Sequence, residues 1–153
     1  IDFARFDIAE LMRGVIESSD ILIRQKEVSV QFHQTEPVYV WADEFKVEQV
    51  LTNYTSNALN HLDGEHKIEI KVVRESDCVK VTVFNTGTPI PEEDVPNLWN
   101  KFYKADKART REYGGSGIGL SIVKAIIEGM NQKYGVCNYD NGVEFWFTLD
   151  CRQ

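Results

Sequence analysis

Residues 114–120 form a glycine-rich segment with the composition of a loop that could bind phosphate groups. Gly115, Gly117 and Gly119 alternate along it, so no β-carbon would block backbone N–H groups from approaching phosphate oxygens. The apolar segment that follows is predicted to be a helix, whose N-terminal end carries partial positive charge. Taken alone, such a segment is as typical of a flexible loop or a tight helix start as of a phosphate site.

Two common nucleotide-binding motifs do not fit this segment. No Gly-Lys-Ser/Thr triplet follows the glycines, which excludes a Walker A loop. The glycines follow a polar stretch rather than a strand, so the βαβ frame of a dinucleotide-binding fold is missing. Other residues must therefore carry the argument for a function.

Asn53 and Asn57 are four residues apart and so lie on one face of a predicted helix. Asparagine is a mediocre helix former, and two of them in an otherwise apolar helix need a reason. One reading is a solvated helix face, or amides that bind nearby backbone groups. The alternative is that one amide oxygen ligates Mg²⁺, which takes only one or two protein ligands beside water and phosphates.

A third polar segment, residues 85–90, follows a predicted strand. Asn85 at the strand end could hydrogen-bond a ligand ring, and Gly87 would let the backbone come close to that ligand. An ordinary turn would explain the segment equally well if it stood alone.

The hydrophobic pattern predicts the elements that position these residues. Helical spacing predicts helices over 8–16, from 44 to near Asp63-Gly64, and over 118–130, with Asp7 and Asp43 as N-caps. Alternating or clustered apolar residues predict strands over 28–32, 38–41, 67–74, 78–84, 136–139 and 143–149. Residues 95–103 could hold a short helical stretch, and 105–116 are predicted to be a loop. This order predicts an α+β fold, a two-layer sandwich with one sheet covered on one face by about three helices.

Length and composition indicate one globular domain spanning residues 1–153. No apolar run approaches the ~20 residues of a membrane span, and no signal segment opens the chain. The net charge of −7 argues against nucleic acid as a partner but not against a nucleotide. The three cysteines share no metal-ligand spacing, and we expect them to be reduced thiols.

In this order the segments resemble the Bergerat (GHKL) ATP-binding domain of bacterial sensor histidine kinases. The resemblance extends over essentially the whole chain, including residues 6–11, which are similar to the family's first strand-helix junction. Pro89 in the second box makes that box similar to a variant in some Gram-positive sensor kinases, including those resembling vancomycin-resistance sensors. The four boxes are the N box at 49–59 (QVLTNYTSNAL), the G1 box at 85–90 (NTGTPI), the F box at 98–104 (LWNKFYK) and the G2 box at 115–120 (GSGIGL).

The resemblance implies that ATP and Mg²⁺ are bound. Asn57 would be the metal ligand and, with Asn53 and Lys104, would form the catalytic set. Asn85 would accept a hydrogen bond from the adenine amino group where the family usually has aspartate, so some affinity would be lost. The implied nucleotide-binding residues are Asn53, Asn57, Asn60, His61, Asn85, Gly87, Ile90, Phe102, Tyr103, Lys104, Arg109, Gly115, Ser116, Gly117, Ile118, Gly119 and Leu120.

Asn60 and His61 stand where the family often has lysine and tyrosine. The missing lysine would put more weight on Lys104, Arg109 and Arg111 for contacts with phosphate. Those three cations could equally be solvated surface charges, and His61 could be either a hydrogen-bonding substitute or a solvated helix-end residue.

Residues 105–116 would form an ATP lid that becomes ordered when the triphosphate binds. Trp99 and Phe102 of the F box would pack beneath this lid and against helices.

Asn53 occupies the position where hydrolysing relatives carry a glutamate that activates water. An amide cannot accept a proton from water, so the resemblance implies phosphoryl transfer to a histidine rather than hydrolysis. In the family that histidine lies on a separate dimerisation helix, and His33, His61 and His66 lack its sequence context. We therefore expect a catalytic domain that begins just after that helical hairpin. It would be the cytoplasmic part of a membrane-anchored homodimer that signals to a response regulator.

Three other functions stay open at this point. An anti-sigma-type serine kinase shares the ATP fold, although the F box and residues 6–11 favour the histidine kinase. A hydrolysing ATPase is weakened by Asn53. A nucleotide-binding or docking module without catalysis would account for Asn60, Asn85 and Pro89.

Overall fold

A computed structural model describes residues 1–100 and 119–151 of the chain. The strands are β1 (Ala4–Asp7), β2 (Ser29–Gln31), β3 (Tyr39–Ala42), β4 (Lys67–Arg74), β5 (Cys78–Thr86), β6 (Tyr134–Tyr139) and β7 (Gly142–Asp150). The helices are α1 (Ile8–Ser18), α2 (Asp20–Gln25), α3 (Glu44–Asn60) and α4 (Gly119–Gly129), with a short 3-10 helix at Val95–Asn97.

The seven strands form one mixed, mostly antiparallel sheet in the order β1-β3-β7-β5-β4-β2, and β6 also pairs with β7. Strand β7 is central, because β5 pairs along one of its edges while β6 and β3 share the other. Strands β2 and β4 are parallel. The helices lie on one side of the sheet, so the predicted α+β sandwich is confirmed.

The two predicted N-caps are present. Asp7 accepts a hydrogen bond of 3.0 Å from the N–H of Ala9 at the start of α1. Asp43 does the same for α3, with the N–H of Lys46 at 3.2 Å. These side chains satisfy N–H groups that have no partner within the helix, and so fix where α1 and α3 begin.

The core lies between the sheet and helices α1, α3 and α4. Alternate residues of β5 and β7 are buried on the helix side, as period-two side chains require. Tyr54 of α3 packs its ring against Phe145 and Phe147 of β7, with ring centroids 5.4 and 5.8 Å apart. This contact holds the helix that carries Asn53 and Asn57 at a fixed height over the sheet.

Two elements were not predicted from the hydrophobic pattern as separate elements, namely β1 and α2. Strand β1 is four residues long with only one of them buried, and α2 has no buried residue, so neither shows a clear period. The helical stretch expected over 95–103 is a 3-10 helix at Val95–Asn97, and residues 101–103 fall outside the described residues. The expected lid at 105–116 also falls outside them.

Candidate nucleotide-binding site

The start of α4 lies against the middle of α3. A β-carbon built on Gly119 would be 3.7 Å from Oδ1 of Asn53, which is an ordinary van der Waals distance. Leu120, the next residue, is buried in the core between the helices. The structure therefore brings Asn53 of the N box next to Gly119 and Leu120 of the G2 box, which are about 65 residues away in the chain.

Asn57, one turn further along α3, is 4% exposed. Neither Oδ1 nor Nδ2 of its side chain has a hydrogen-bond partner among the described residues. Burying an unpaired amide costs free energy, and native structures rarely leave one without a reason. A bound ligand that meets this side chain would supply the missing partner.

The residues around Asn57 suit a metal ion whose ligands are mainly phosphate oxygens and water. Among residues 1–100 and 119–151 no group of three or more His, Cys, Asp or Glu side chains could hold a metal. A single neutral amide oxygen is a poor site for a free cation. It is an adequate ligand for Mg²⁺ whose remaining positions are filled by phosphate oxygens and water.

Asn85, at the end of β5, is 1% exposed, and only one of the two polar atoms of its side-chain amide has a hydrogen-bond partner among the described residues. Its Nδ2 donates to the main-chain carbonyl of Thr86 at 3.0 Å, while its Oδ1 has no partner among the described residues. A carbonyl can only accept, so this bond fixes the orientation of the amide. Asn85 thus presents a buried acceptor, which would suit an amino group on a ligand ring.

Main-chain hydrogen bonds hold the turn after Asn85 on two sides. The carbonyl of Thr86 accepts from the N–H of Asp63 at 3.1 Å, and the N–H of Gly87 donates to the carbonyl of Asn141 at 3.0 Å. A β-carbon on Gly87 would lie 2.7 Å from the carbonyl oxygen of His61, so only glycine fits there. The loop after α3 and the β6–β7 turn therefore clamp the G1 box between them.

His61 and Asn60 differ in where the structure places them. His61 is buried, and its Nε2 donates to the carbonyl of Thr88 at 2.9 Å. This bond makes His61 a support of the G1 box, a role that the sequence did not indicate. Asn60 is the last residue of α3 and is exposed, so it does not join the buried set of asparagines.

Asn138 of β6 is a site residue that sequence reasoning missed. Its Oδ1 accepts from the N–H of Ile90 at 2.9 Å, and its Nδ2 donates to the carbonyl of Ile90 at 2.8 Å. Ile90, the last residue of the G1 box, is 2% exposed and belongs to the core. An asparagine within a strand is unfavourable without a partner, and that was the available signal.

The structure describes residues 98–100 of the F box and, of the G2 box, Gly119 and Leu120. Trp99 packs edge-to-face on Tyr134 and Phe145, with ring centroids at 4.7 and 5.8 Å, so these ring contacts are with strands β6 and β7 and not with the expected helices. The remaining predicted site residues lie outside the described part of the chain. They are Phe102, Tyr103, Lys104, Arg109, Arg111, Gly115, Ser116, Gly117 and Ile118.

A cavity of about 370 Å³ opens beside the G1 box. Its walls are the loop after α3 at 63–65, the turn at 86–89 and the β6–β7 turn at 140–141. Neither Asn57 nor Asn85 is among its lining residues, so we do not assign it to the nucleotide.

Known proteins match the chain both in sequence and in structure. A family model described as histidine kinase-, DNA gyrase B-, and HSP90-like ATPase matches residues 42–153. The sensor histidine kinase WalK of Bacillus subtilis (strain 168) is 40% identical over 108 residues, which cover 67% of this chain and 18% of that protein. The curated relatives it matches first are much longer, since the chain spans 18–30% of their lengths.

Two solved structures of the histidine kinase ThkA are similar to this one. The nucleotide-free catalytic domain is 33% identical with a TM-score of 0.87, over 99% of this chain and 97% of that one. ThkA in complex with the response regulator protein TrrA is 32% identical with a TM-score of 0.83, over 98% of this chain and 42% of that one. On these matches the chain belongs to the histidine kinase-, DNA gyrase B- and HSP90-like ATPases, as a catalytic domain of the sensor histidine kinase type.

Proposed function

We propose that residues 1–153 form one domain that binds ATP with Mg²⁺ between α3, the G1 box and α4. It would transfer the γ-phosphate to a histidine on a separate dimerisation domain. The observation that carries this proposal is the buried amide of Asn57, which has no hydrogen-bond partner among the described residues. In a domain that bound nothing there, the desolvation of the Asn57 amide would have no compensating interaction.

Asn53, Asn57 and Asn85 each have a separate task in this proposal. Oδ1 of Asn57 would ligate Mg²⁺, and Asn53 would contact phosphate beside the start of α4. Oδ1 of Asn85 would accept a hydrogen bond from the adenine amino group, because its Nδ2 is already bonded to Thr86. Ile90 and Gly87 would shape the wall of the base site, with Gly87 needed for the close approach to His61.

The family resemblance assigns the remaining tasks, and apart from Gly119, Leu120, His61 and Asn60 the residues concerned lie outside the described part. Lys104, Arg109 and the backbone of Gly115, Gly117 and Gly119 would hold the β- and γ-phosphates. Ser116, Ile118 and Leu120 would complete the G2 box, and Phe102 and Tyr103 the F box. His61 and Asn60 need not touch the nucleotide.

Phosphoryl transfer asks the protein for positioning and charge neutralisation more than for covalent chemistry. Mg²⁺, when bound, would neutralise charge on the phosphates. Asn53 cannot take a proton from water, and this favours transfer to an imidazole over hydrolysis. The chain's own residues would hold the triphosphate in line with an incoming nucleophile and leave water without a general base.

The partners follow from the relatives. ThkA forms a complex with a response regulator protein, and the relatives in sequence are sensor histidine kinases. This supports a longer protein with a dimerisation and phosphoacceptor domain and with a response regulator as partner. The net charge of −7 argues against nucleic acid as a further partner. No described helix is long and apolar enough to cross a membrane. From the resemblance to sensor histidine kinases, we propose that this domain is the cytoplasmic part of a membrane-anchored homodimer.

Calorimetric titration with ATP tests the binding step. We expect tighter binding with Mg²⁺ than without it, and we expect Asn57→Ala to abolish that difference. Ser56→Ala, at the exposed neighbouring position on the same helix, is the matched control and should bind as the unsubstituted chain does. Equal affinity with and without Mg²⁺ would instead favour a docking module without catalysis.

Radiolabelled ATP tests the transfer step. With γ-labelled ATP and a phosphoacceptor domain from a histidine kinase relative, we expect acid-labile label on the acceptor histidine and none on this chain alone. Acid-stable label on a partner's serine would point to a serine kinase. Steady phosphate release without any partner would point to a hydrolase.

A further inference from the structure

Asn85 and Asn138 lie at one level of the sheet. Both are in register with Val143 of β7, Asn85 from β5 on one edge and Asn138 from β6 on the other. Residues in register on neighbouring strands project to the same face, and Val143 is fully buried on the helix side. Two strand spacings separate the asparagines, which is roughly 10 Å.

Ile90 ties the two asparagines together through the G1 box. Asn85 begins this box and presents its free Oδ1, while Ile90 ends it and is held at both main-chain polar groups by Asn138. The first half of the box has other supports, from Asp63, Asn141 and His61. For Ile90 the hydrogen bonds given by the described residues come from Asn138.

From this geometry we infer that Asn138 is a positioning residue for recognition of the nucleotide base. It does not touch the nucleotide. It fixes Ile90 opposite Asn85, and so sets the width of the site across Val143 into which the base fits. This inference rests on the proposed function, because it takes the site between Asn85 and Ile90 to be that of the adenine ring.

Substitution of Asn138 should therefore weaken binding of the base and leave binding of the phosphates unchanged. The phosphate end is assigned to Asn53, Asn57 and the start of α4, which are on helices and do not depend on β6. Loosening Ile90 would weaken any ligand that carries adenine. It would leave a base-free phosphate chain bound as before.

A second comparison is between binding of ATP and binding of GTP. Oδ1 of Asn85 can accept from the amino group of adenine but not from the exocyclic carbonyl oxygen that guanine carries at the same position, because that oxygen is also an acceptor. That discrimination requires the base to be held firmly against Asn85. A looser wall at Ile90 would lower the preference for ATP over GTP.

The experiment compares Asn138→Ala with a matched variant in the paired strand β7, Thr148→Val, whose side chain bonds the segment at the other end of β6. Thr148 Oγ1 accepts from the N–H of Lys133 at 3.0 Å and donates to Oε1 of Gln132 at 2.8 Å. Thr148→Val thus removes two side-chain hydrogen bonds at the start of β6, as Asn138→Ala removes two near its end. Asn138→Asp is a near-isosteric second variant that keeps the acceptor for Ile90 and loses the donor.

For each variant, affinities are measured for ATP, GTP and tripolyphosphate in the presence of Mg²⁺, together with the melting temperature. We expect Asn138→Ala to weaken ATP binding about tenfold, from the loss of two hydrogen bonds, and to lower the ATP-to-GTP preference. Asn138→Asp should do the same at least as strongly, because an acceptor-only carboxylate oxygen would replace the Nδ2 donor and face the carbonyl oxygen of Ile90. Tripolyphosphate binding should be unchanged in both, and Thr148→Val should lose melting temperature but no ATP affinity.

Equal losses of ATP affinity in Asn138→Ala and Thr148→Val would show a general loss of structure and overturn the inference. Unchanged ATP binding in Asn138→Ala would overturn it as well, while leaving the proposed function intact. Absence of ATP binding by the unsubstituted chain would remove the proposed function itself, and this inference with it.

Discussion

The hydroxyl of Tyr54 donates a hydrogen bond of 3.0 Å to the main-chain carbonyl of Trp146. The bond joins α3 to the central strand β7. Tyr54 lies on the same part of α3 as Asn53 and Asn57. Burial raises the pKa of Tyr54 well above its ordinary value, so the ring stays neutral and the hydroxyl remains a donor. Tyr54 thus sets the distance between the N box and the sheet.

Replacing this hydroxyl should cost stability in a pH-dependent way. Tyr54→Phe should lower the free energy of unfolding by about 1 kcal/mol at neutral pH, through the lost hydrogen bond. Because the pKa of Tyr54 is raised in the folded state, its contribution is present below the unfolded pKa near 10 and is lost at higher pH. Urea unfolding at pH 7 and above pH 10 measures this. A variant that loses stability at high pH as steeply as the unsubstituted chain would contradict it.

Tyr134 and Cys78 also have raised pKa values, about 12 and about 11, both mainly from burial. Their contributions likewise disappear with increasing pH. The Tyr54→Phe variant should therefore still lose some stability in alkali, so the quantity to compare is the slope of the free energy of unfolding against pH in the variant and in the unsubstituted chain.

Asn57→Leu should stabilise the free chain while it abolishes Mg²⁺-dependent nucleotide binding. The amide of Asn57 is buried without a hydrogen-bond partner among the described residues, so replacing it by an apolar side chain of similar shape removes a desolvation cost. We expect a gain of about 1 kcal/mol in the free energy of unfolding. Urea unfolding without nucleotide measures the gain.

Asn138→Leu is the matched control for that measurement. Both polar ends of the Asn138 side chain are bonded to Ile90, so the same substitution there should destabilise the chain. A loss of stability in both variants would mean that the amide of Asn57 is satisfied in the free protein, and would remove the main support for the proposed site.

Gly87→Ala should disrupt the G1 box. Its β-carbon would lie 2.7 Å from the carbonyl oxygen of His61, a main-chain atom that cannot rotate away, so the turn must shift. We expect a loss of about 1–3 kcal/mol in stability and weaker ATP binding. Gly14→Ala is the control, since a β-carbon there meets nothing within 4 Å in the middle of α1. That variant should gain up to about 1 kcal/mol, and melting curves of the two should move in opposite directions.

The sequence predicted the elements whose signals are local. Asp7 and Asp43 cap their helices as expected, because a cap depends on residues within one turn. The hairpin β4–β5 and the hairpin β6–β7 follow from period-two burial and a short turn. Strand β1 is too short and too exposed to show a period, and only its pairing with β3 makes it a strand.

The sequence predicted the four boxes of the candidate site. It did not predict the hydrogen bonds that join those boxes to distant residues. Asn138 bonds to Ile90 across 48 residues, and His61 bonds to Thr88 across 27. A sequence pattern reports the type of a residue and its neighbours within a few positions. It does not report which distant backbone group a side chain will meet after folding. The burial of Asn57 on α3 and of Asn85 on β5 likewise depends on how the helices pack on the sheet.

Asp43 connects the N box helix to the first residues of the chain. Its Oδ1 accepts from the N–H of Lys46, while its Oδ2 accepts from the N–H of Asp2 at 2.9 Å. The N–H of Asp2 is the main cause of the lowered pKa of this carboxyl, and desolvation opposes it. The carboxylate thus bonds two segments that are 41 residues apart.

Asp43→Ala should cost about 1 kcal/mol of stability at pH 7, within the range measured for lost helix N-caps. Because the pKa is lowered in the folded state, this contribution is present above the unfolded pKa of 3.8 and is lost as pH falls through the lower folded value. The difference between the variant and the unsubstituted chain should therefore shrink below pH 4. Asp43→Asn should lose less, since an amide oxygen still caps the helix. A stability difference that stayed constant from pH 7 to pH 3 would show that Asp43 acts without its charge.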